Sequence, residues 1–168
     1  MRVSTAIISL VCALGFTNAT PAEYPFQFPI TPATVVECPP TTNPVLLKVE
    51  YVNIDPNPPR KGQPLTIDGG GYLQEDIVEG AEIEVVVKLG LIKLLTKRFN
   101  FCEESVKVGK PCPIVAGKQS LKTSVDLPRE IPPGKFTANI KVTNPKKSES
   151  EPGKIVTCLI AKAQFGLK

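Results

Sequence analysis

The 168-residue chain contains no histidine and no tryptophan. Without histidine, neither a Ser-His nor a Cys-His nucleophile pair can be assembled. Zinc sites that use histidine ligands are excluded, and the chain has no C-x-x-C pair that would supply cysteine ligands instead. The adjacent acids Glu75-Asp76 and Glu103-Glu104 stand in turn-like sequence, where neighbouring carboxylates are usually only solvated. The sequence therefore predicts that the chain is not an enzyme, and it indicates no metal and no cofactor.

The chain also lacks a charge pattern of the kind that binds nucleic acid. It carries 20 Lys and Arg against 16 Asp and Glu, a net charge of +4. The two signs are interspersed, and the basic residues do not alternate with aromatics. We interpret the charge as ordinary surface charge and predict no nucleic-acid partner.

The chain has no apolar run of the roughly 20 residues that a transmembrane helix requires. The apolar run Ala6–Phe16 is shorter, follows Arg2, and precedes small residues that end at Ala19. This pattern is typical of a secretory signal peptide. We therefore predict a signal peptide at residues 1–19 and delivery through the secretory pathway, to the outside or to a vacuolar lumen.

Five cysteines are present, of which Cys12 falls in the predicted signal peptide. The four that remain, an even number in an exported domain, predict disulfide bonds. Three pairings are possible. Nearness in sequence favours Cys102–Cys112, which leaves Cys38–Cys158 to join the two ends of the domain.

The residues from 20 to 44 are rich in proline and threonine. We expect an extended N-terminal segment at 20–37, and the sequence leaves open whether it is a pro-segment that is removed. The predicted domain is 38–161, followed by a short tail at 162–168.

Short stretches with a period of two recur through this domain and are separated by proline-rich and glycine-rich turns. The clearest are 82–89 and 136–143, where every second residue is apolar and many are β-branched, as in strands with one buried face. Gly69-Gly70-Gly71 lacks the G-K-[ST] ending of a phosphate loop and predicts a turn or bulge between two short strands. About seven or eight short strands predict an all-β fold, an immunoglobulin-like antiparallel β-sandwich.

The apolar residues of the central strands have two interpretations. They either fill the core between two sheets or line an apolar cavity between sheets that are splayed apart, and periodicity does not separate the two. The candidate cavity residues are Val85, Val87, Leu89, Ile92, Leu94, Leu95, Phe136, Ile140 and Val142.

Four motifs favour the cavity, because together they resemble a known family. They are P-N-P-P-R-K-G-Q-P-L-T-I at 56–67, V-K-L-G-L-I-K-L-L at 87–95, C-P-I at 112–114 and L-P-R-E-I-P-P-G-K-F at 127–136. In this order and spacing the sequence resembles the fungal phosphatidylglycerol/phosphatidylinositol transfer proteins. These belong to the ML lipid-recognition family, which also holds the Niemann–Pick type C2 sterol carriers and the group 2 mite allergens. The resemblance covers about residues 38–161.

The resemblance implies a lipid-sized pocket between the sheets and the same two disulfides. It places the pocket mouth near Leu94 and Leu95 and in the loop that contains Leu127, Pro128, Arg129, Ile131, Pro132 and Pro133. The charges of Arg129 and Lys135 have two interpretations that stay open: one of them attracts an anionic head group, or both are ordinary surface charges. The sterol carriers have a third, early disulfide, and this chain has no cysteine between Cys38 and Cys102. That difference favours a phospholipid or another acyl lipid over a sterol.

The expected function is a secreted or lumenal monomer that holds one lipid and carries it between membranes, with transient contact to the membrane surface. The lipid would be a phospholipid of the phosphatidylglycerol/phosphatidylinositol class or a sterol. Two alternatives remain open. One is a secreted interaction module with a filled core, and the other is an accessory protein that presents a lipid to a receptor.

Overall fold

The computed structural model describes residues 31–40, 44–146, 148 and 152–166. The predicted signal peptide at 1–19, most of the predicted segment 20–37 and the last two residues of the predicted tail lie outside the described residues. No helix in the described ranges has the length and apolar character that a membrane span needs.

Within these ranges the chain forms eight strands and one short helix, α1, at Phe101–Lys107. The strands are β1 (Thr34–Glu37), β2 (Leu47–Asp55), β3 (Pro64–Leu73), β4 (Glu82–Leu89), β5 (Ile92–Asn100), β6 (Gly117–Asp126), β7 (Gly134–Thr143) and β8 (Ile155–Phe165). They pair in an antiparallel manner in two sheets, one ordered β1-β8-β7-β4-β5 and the other β2-β3-β6. The predicted all-β sandwich is confirmed.

The register of β4 and β7 explains which face of the larger sheet is apolar. Ile83 pairs with Val142, and Val85 pairs with Ile140. Side chains directly opposite each other point to the same side of a sheet, so the two period-two patterns combine into one apolar inner face.

The buried core lies at one end of the sandwich. Three of its residues, Leu73, Val142 and Val156, lie at the ends of β3, β7 and β8. The other three, Leu46, Ile77 and Ala81, lie in the segments that precede β2 and β4. We call this the core end. The opposite end, where the β4–β5 turn at Gly90 lies, is called the hairpin end.

The prediction at Gly69–Gly71 was a turn or a bulge, and the turn is wrong, because these residues continue β3 without interruption. The irregularity lies in the partner strand instead, where the register of β2 shifts between Val49 and Tyr51. The bulge brings the backbone of β2 so close that a side chain at Gly71 would collide with the carbonyl oxygen of Lys48. Glycine is therefore required at this position by close backbone approach.

Helix α1 was not expected in the loop between Cys102 and Cys112. The Asn100 side chain caps it by accepting hydrogen bonds from the backbone N–H of Cys102, at 2.9 Å, and of Glu103, at 3.4 Å. The helix is only seven residues long, too short to show a helical period in sequence.

The sheet extends beyond the predicted domain limits of 38 and 161. Strand β1 lies inside the predicted segment 20–37, and it pairs with β8 through Thr34 and Lys162. Strand β8 itself continues to Phe165.

Both predicted disulfides are present, with Cα–Cα distances of 5.3 Å for Cys38–Cys158 and 5.4 Å for Cys102–Cys112. The first fixes the end of β1 to β8.

Candidate functional site

A cavity of about 440 Å³ lies between the two sheets. Its size is within the range of about 300–1,000 Å³ that small-molecule sites occupy. Apolar side chains from both sheets and from the segment around α1 line it: Leu47, Val49, Val52, Ile67, Leu73, Ile77, Ile83, Phe101, Val108, Ile114, Leu121, Ile140, Val142, Val156 and Leu159.

The core end closes this cavity, because Leu73, Val142 and Val156 belong both to the lining and to the buried core. In the direction of the hairpin end the lining reaches Ile67 on β3 and Ile140 on β7. The cavity therefore begins at the core and extends about halfway along the sandwich.

The wall formed by β3 has few side chains, since Gly69, Gly70 and Gly71 are all part of the lining. Gly69 and Gly71 share the inner face with Ile67 and Leu73, because alternate residues of a strand point the same way. Two successive positions of this inner face thus contribute no side chain to the space between the sheets.

The polar residues of the lining are concentrated on α1, on the loop after it and on β6. Lys110 Nζ donates a hydrogen bond of 3.2 Å to Gln119 Oε1, and Gln119 Nε2 donates one of 2.8 Å to the carbonyl oxygen of Val115. Glu104 forms a salt bridge of 2.7 Å with Lys107. Sequence reasoning missed these residues, because no motif marks them.

Two of the predicted cavity residues, Ile140 and Val142, line the observed cavity. Four others, Val85, Val87, Leu89 and Phe136, are half-buried and are not part of the lining. Their register places all four on the same inner face, between the cavity and the hairpin end: Val85 pairs with Ile140, Val87 with Ala138, and Leu89 with Phe136.

The remaining predicted cavity residues, Ile92, Leu94 and Leu95, do not line the cavity. They lie on the edge strand β5 with 67%, 47% and 40% of their surface exposed. Leu91 in the adjacent turn is fully exposed, at 100%. The structure thus presents this apolar set to solvent, at the tip and edge of the hairpin.

The predicted mouth residues occupy the loop between β6 and β7, and none of them lines the observed cavity. The loop is held at the hairpin end by the backbone N–H of Leu127, which donates to Gln63 O at 3.2 Å, and by Pro128 O, which accepts from Gly62 N at 3.1 Å. The Arg129 side chain lies against Gly62. Ile131 is half-buried, whereas Pro128, Pro132 and Pro133 are exposed.

A group of lysines lies on the outer face of the larger sheet near the same end. Lys88 is paired with Lys93 on one side and with Thr137 on the other, and Thr137 is paired in turn with Lys162. Lys135 lies two residues before Thr137, on the same face. In the part of the chain that the structure describes, none of these lysines forms a salt bridge.

Glu79, Cys102 and Cys112 place possible metal-ligand atoms within 4.8 Å of one another. Both sulfurs belong to a disulfide bond, so neither is a thiolate that can bind a metal ion. This cluster does not form a metal site while the disulfide is intact.

Comparison with protein families identifies the fold. The sequence model of the ML domain family matches residues 33–165, which is nearly the whole described part of the chain. The chain belongs to the ML domain family. The matched limits agree with the extent of the two sheets, from the residue before β1 to the end of β8. The family is not an enzyme family, as the sequence predicts.

Curated fungal relatives named phosphatidylglycerol/phosphatidylinositol transfer protein are similar to this ML domain. The protein of Neurospora crassa is 35% identical and the alignment covers 100% of this chain and 96% of the relative. The protein of Yarrowia lipolytica is 43% identical over 71% of this chain, which matches only 60% of the relative's length. The protein of Debaryomyces hansenii is 39% identical, and 63% of its length is matched.

Two solved structures have the same fold. A Niemann-Pick type C2 protein from the Japanese carpenter ant aligns with a TM-score of 0.55 and 14% identity, over 78% of this chain and 98% of that one. Chicken MD-1 complexed with lipid IVa aligns with a TM-score of 0.50 and 17% identity, over 84% of this chain and 100% of that one. At these identities the similarity concerns the fold alone.

Proposed function

We propose that this ML domain binds one lipid between its sheets and carries it between membranes. The ligand is a phospholipid of the phosphatidylglycerol/phosphatidylinositol class or a sterol. The observation that carries the proposal is the apolar cavity of about 440 Å³ between the two sheets. The names of the fungal relatives support the lipid class.

The physical reason for binding is the cost of exposing acyl chains to water. Each methylene group moved from water into an apolar site gains about 0.8 kcal/mol. The cavity offers Leu, Val, Ile and Phe side chains from both sheets, which replace water around the chain.

The lipid enters from the hairpin end in this proposal. The half-buried inner-face residues Val85, Val87, Leu89 and Phe136 form an apolar path from the cavity to that end. The head group then remains at the β6–β7 loop, with Leu127–Pro133 as the mouth. Arg129 and Lys135 at the same end supply positive charge to an anionic head group.

Contact with the membrane takes place through the tip of the β4–β5 hairpin. Leu91 and Ile92 are exposed apolar side chains that can enter the interface of a bilayer. Lys88 and Lys93 flank them, and no carboxylate occurs between residues 85 and 97. An apolar tip beside lysines is complementary to a bilayer that contains anionic lipids.

The protein acts as a monomer in a secretory compartment, outside the cell or in a vacuolar lumen, according to this proposal. Its two disulfides are of the kind that form and persist in oxidising compartments. The predicted signal peptide at 1–19 directs the chain into the secretory pathway.

Native mass spectrometry of protein purified from a secreting host, followed by lipid extraction, tests the proposal. We expect the added mass of one lipid, released on denaturation, or loading of apo protein by liposomes. Ile140→Trp fills the cavity and should abolish uptake, while Ser124→Trp, on an exposed position of β6, should not. Failure of the wild type to load from any source contradicts the proposal and favours an interaction module instead.

The second candidate is the alternative that the sequence left open, an accessory protein that presents its lipid to a receptor. It predicts a protein partner whose binding depends on lipid loading. A pull-down with loaded and delipidated protein separates this function from transfer.

A further inference from the structure

Gly69 lies in the middle of β3, on the wall of the cavity. Its register partners are Val52 on β2 and Leu121 on β6, and all three residues line the cavity. A side chain at this position would therefore project into the space between the sheets.

The two neighbouring glycines are explained by the fold. A Cβ atom at Gly71 would collide with the carbonyl oxygen of Lys48, and one at Gly70 would lie 2.5 Å from Cε1 of Tyr51. Neither position admits a side chain unless its neighbours move.

Gly69 has no such constraint. A Cβ atom there would have its nearest neighbours at 3.4 Å, the carbonyl oxygen of Tyr51, and at 3.8 Å, Cγ2 of Val52, which are ordinary contact distances. The backbone φ angle of Gly69 is not positive, so residues with a side chain can adopt the same conformation. A glycine inside a strand weakens it, because the unfolded chain has more freedom and no side chain packs on the neighbours.

We propose that Gly69 determines how long an acyl chain the cavity accepts. The absence of a side chain has no role in the packing of β3, but it keeps the space between Val52 and Leu121 open. This inference rests on the proposed function, because it specifies which ligands that same cavity takes.

Gly69→Val adds three carbon atoms to the cavity wall. For each methylene group of the ligand that no longer fits, we expect the affinity to fall about fourfold, the equivalent of about 0.8 kcal/mol. Long-chain lipids therefore lose affinity, shorter-chain lipids of the same head group retain it, and Gly69→Ala gives a smaller shift in the same direction.

The experiment measures binding of a series of phosphatidylglycerols of increasing chain length to the wild type and to each variant. The chain lengths of lipids bound during expression are read by mass spectrometry. The double variant Gly69→Val/Leu121→Ala restores space at the directly opposite position and should regain long-chain binding. Ser124→Val adds the same side chain to an exposed position of β6 and serves as the matched control.

A shift to shorter chains in Gly69→Val that the double variant reverses supports the inference. Identical chain-length profiles in the wild type, Gly69→Ala and Gly69→Val overturn it, and leave the proposed function standing as long as all of them load. A wild type that takes up no lipid of any length overturns both. Thermal unfolding of each variant confirms that a loss of binding is not a loss of fold.

Discussion

Lys88 and Lys93 lie directly opposite each other in the β4–β5 pair, on the outer face of the larger sheet. Like charges at directly opposite positions destabilise a sheet. Thr137 and Lys162 continue the same row across β7 and β8, so the row holds three lysines and no carboxylate. The repulsion between these charges is relieved, and the folded protein is stabilised, when an anionic surface neutralises them.

The double variant Lys88→Gln/Lys93→Gln tests this relationship. Each lysine near an anionic bilayer contributes about 1 kcal/mol, so we expect vesicle binding to weaken by roughly 30-fold. The free energy of unfolding should rise by roughly 0.2–1 kcal/mol, because a repulsive pair is removed. Co-sedimentation with vesicles that contain phosphatidylglycerol measures the first effect, and urea unfolding measures the second.

The matched control is Lys118→Gln/Lys122→Gln, which removes the same charge from exposed positions of β6 in the smaller sheet. If this control loses as much binding as the double variant on the larger sheet, then net charge rather than the lysine row attracts the vesicles.

Leu91 at the hairpin tip is fully exposed, so its replacement leaves the folded protein intact. We expect Leu91→Ser to change the free energy of unfolding by less than about 0.5 kcal/mol. If Leu91 of the wild type enters the bilayer, its burial contributes about 1.5–3 kcal/mol to binding. Leu91→Ser loses this contribution, and vesicle binding weakens about tenfold or more. Transfer of a fluorescent phospholipid between vesicles should slow accordingly.

Val115→Ser is the control for the hairpin tip. Val115 is 64% exposed and lies in the loop before β6, at the core end. A similar loss of transfer from both variants would show that general surface hydrophobicity matters and that the hairpin is not a specific contact.

Arg129 and Lys110 offer positive charge at opposite ends of the sandwich. Under the proposed orientation, Arg129→Gln should weaken the capture of anionic phospholipids several-fold and have little effect on neutral ones. Lys110→Gln should affect both classes alike, since Lys110 Nζ is already held by Gln119. Binding assays with phosphatidylglycerol and phosphatidylcholine compare the two. The reverse pattern would place the head group at the α1 side of the cavity.

The strands of the sandwich were predictable where alternation was regular. The patterns of β4 and β7 defined the inner face. The cysteine count predicted disulfides, and nearness in sequence together with the family resemblance selected the two pairings that are present. Strand β1 was missed because its sequence is short and stands in a proline-rich and threonine-rich segment, and only its pairing with β8 makes it a strand. Helix α1 depends on the cap supplied by Asn100, which leaves no periodic signal.

The cavity was less predictable than the fold. Alternation shows which residues face inward, and it does not show how far apart the sheets stand. Ile140 and Val142 were therefore found, whereas the contributions of β2, β3 and β6 were not. The glycines of β3 predicted a turn or a bulge, since glycine usually interrupts a strand. The structure has no turn there, and the bulge lies in the partner strand β2.

The two disulfides should differ in their effect on stability. Cys38–Cys158 closes a loop with a sequence separation of 120 residues, and Cys102–Cys112 one of 10. The chain-entropy model gives roughly 5 kcal/mol for the longer loop and roughly 3 kcal/mol for the shorter one. Urea unfolding of Cys38→Ala/Cys158→Ala and Cys102→Ala/Cys112→Ala measures both. A larger loss from the shorter loop would mean that packing around α1 outweighs chain entropy.

Asn144 is buried at the core end and holds the segment that precedes β4. Its Nδ2 donates to the carbonyl oxygen of Asp76 at 2.9 Å, and its Oδ1 accepts from the backbone N–H of Val78 at 3.3 Å. These bonds fix the position of Ile77, a core residue that also lines the cavity.

Asn144→Ala leaves one backbone donor and one backbone acceptor without a partner. Each such group costs about 1–3 kcal/mol when it stays buried, and we expect a loss of about 2–3 kcal/mol because water reaches part of this segment. Urea unfolding measures the loss, and Asn53→Ala, at an exposed position of β2, should change stability by less than about 0.5 kcal/mol. Faster hydrogen exchange at Val78 in Asn144→Ala would locate the effect at the closed end of the cavity. Unchanged exchange there, with stability lost elsewhere, would contradict the assigned role of Asn144.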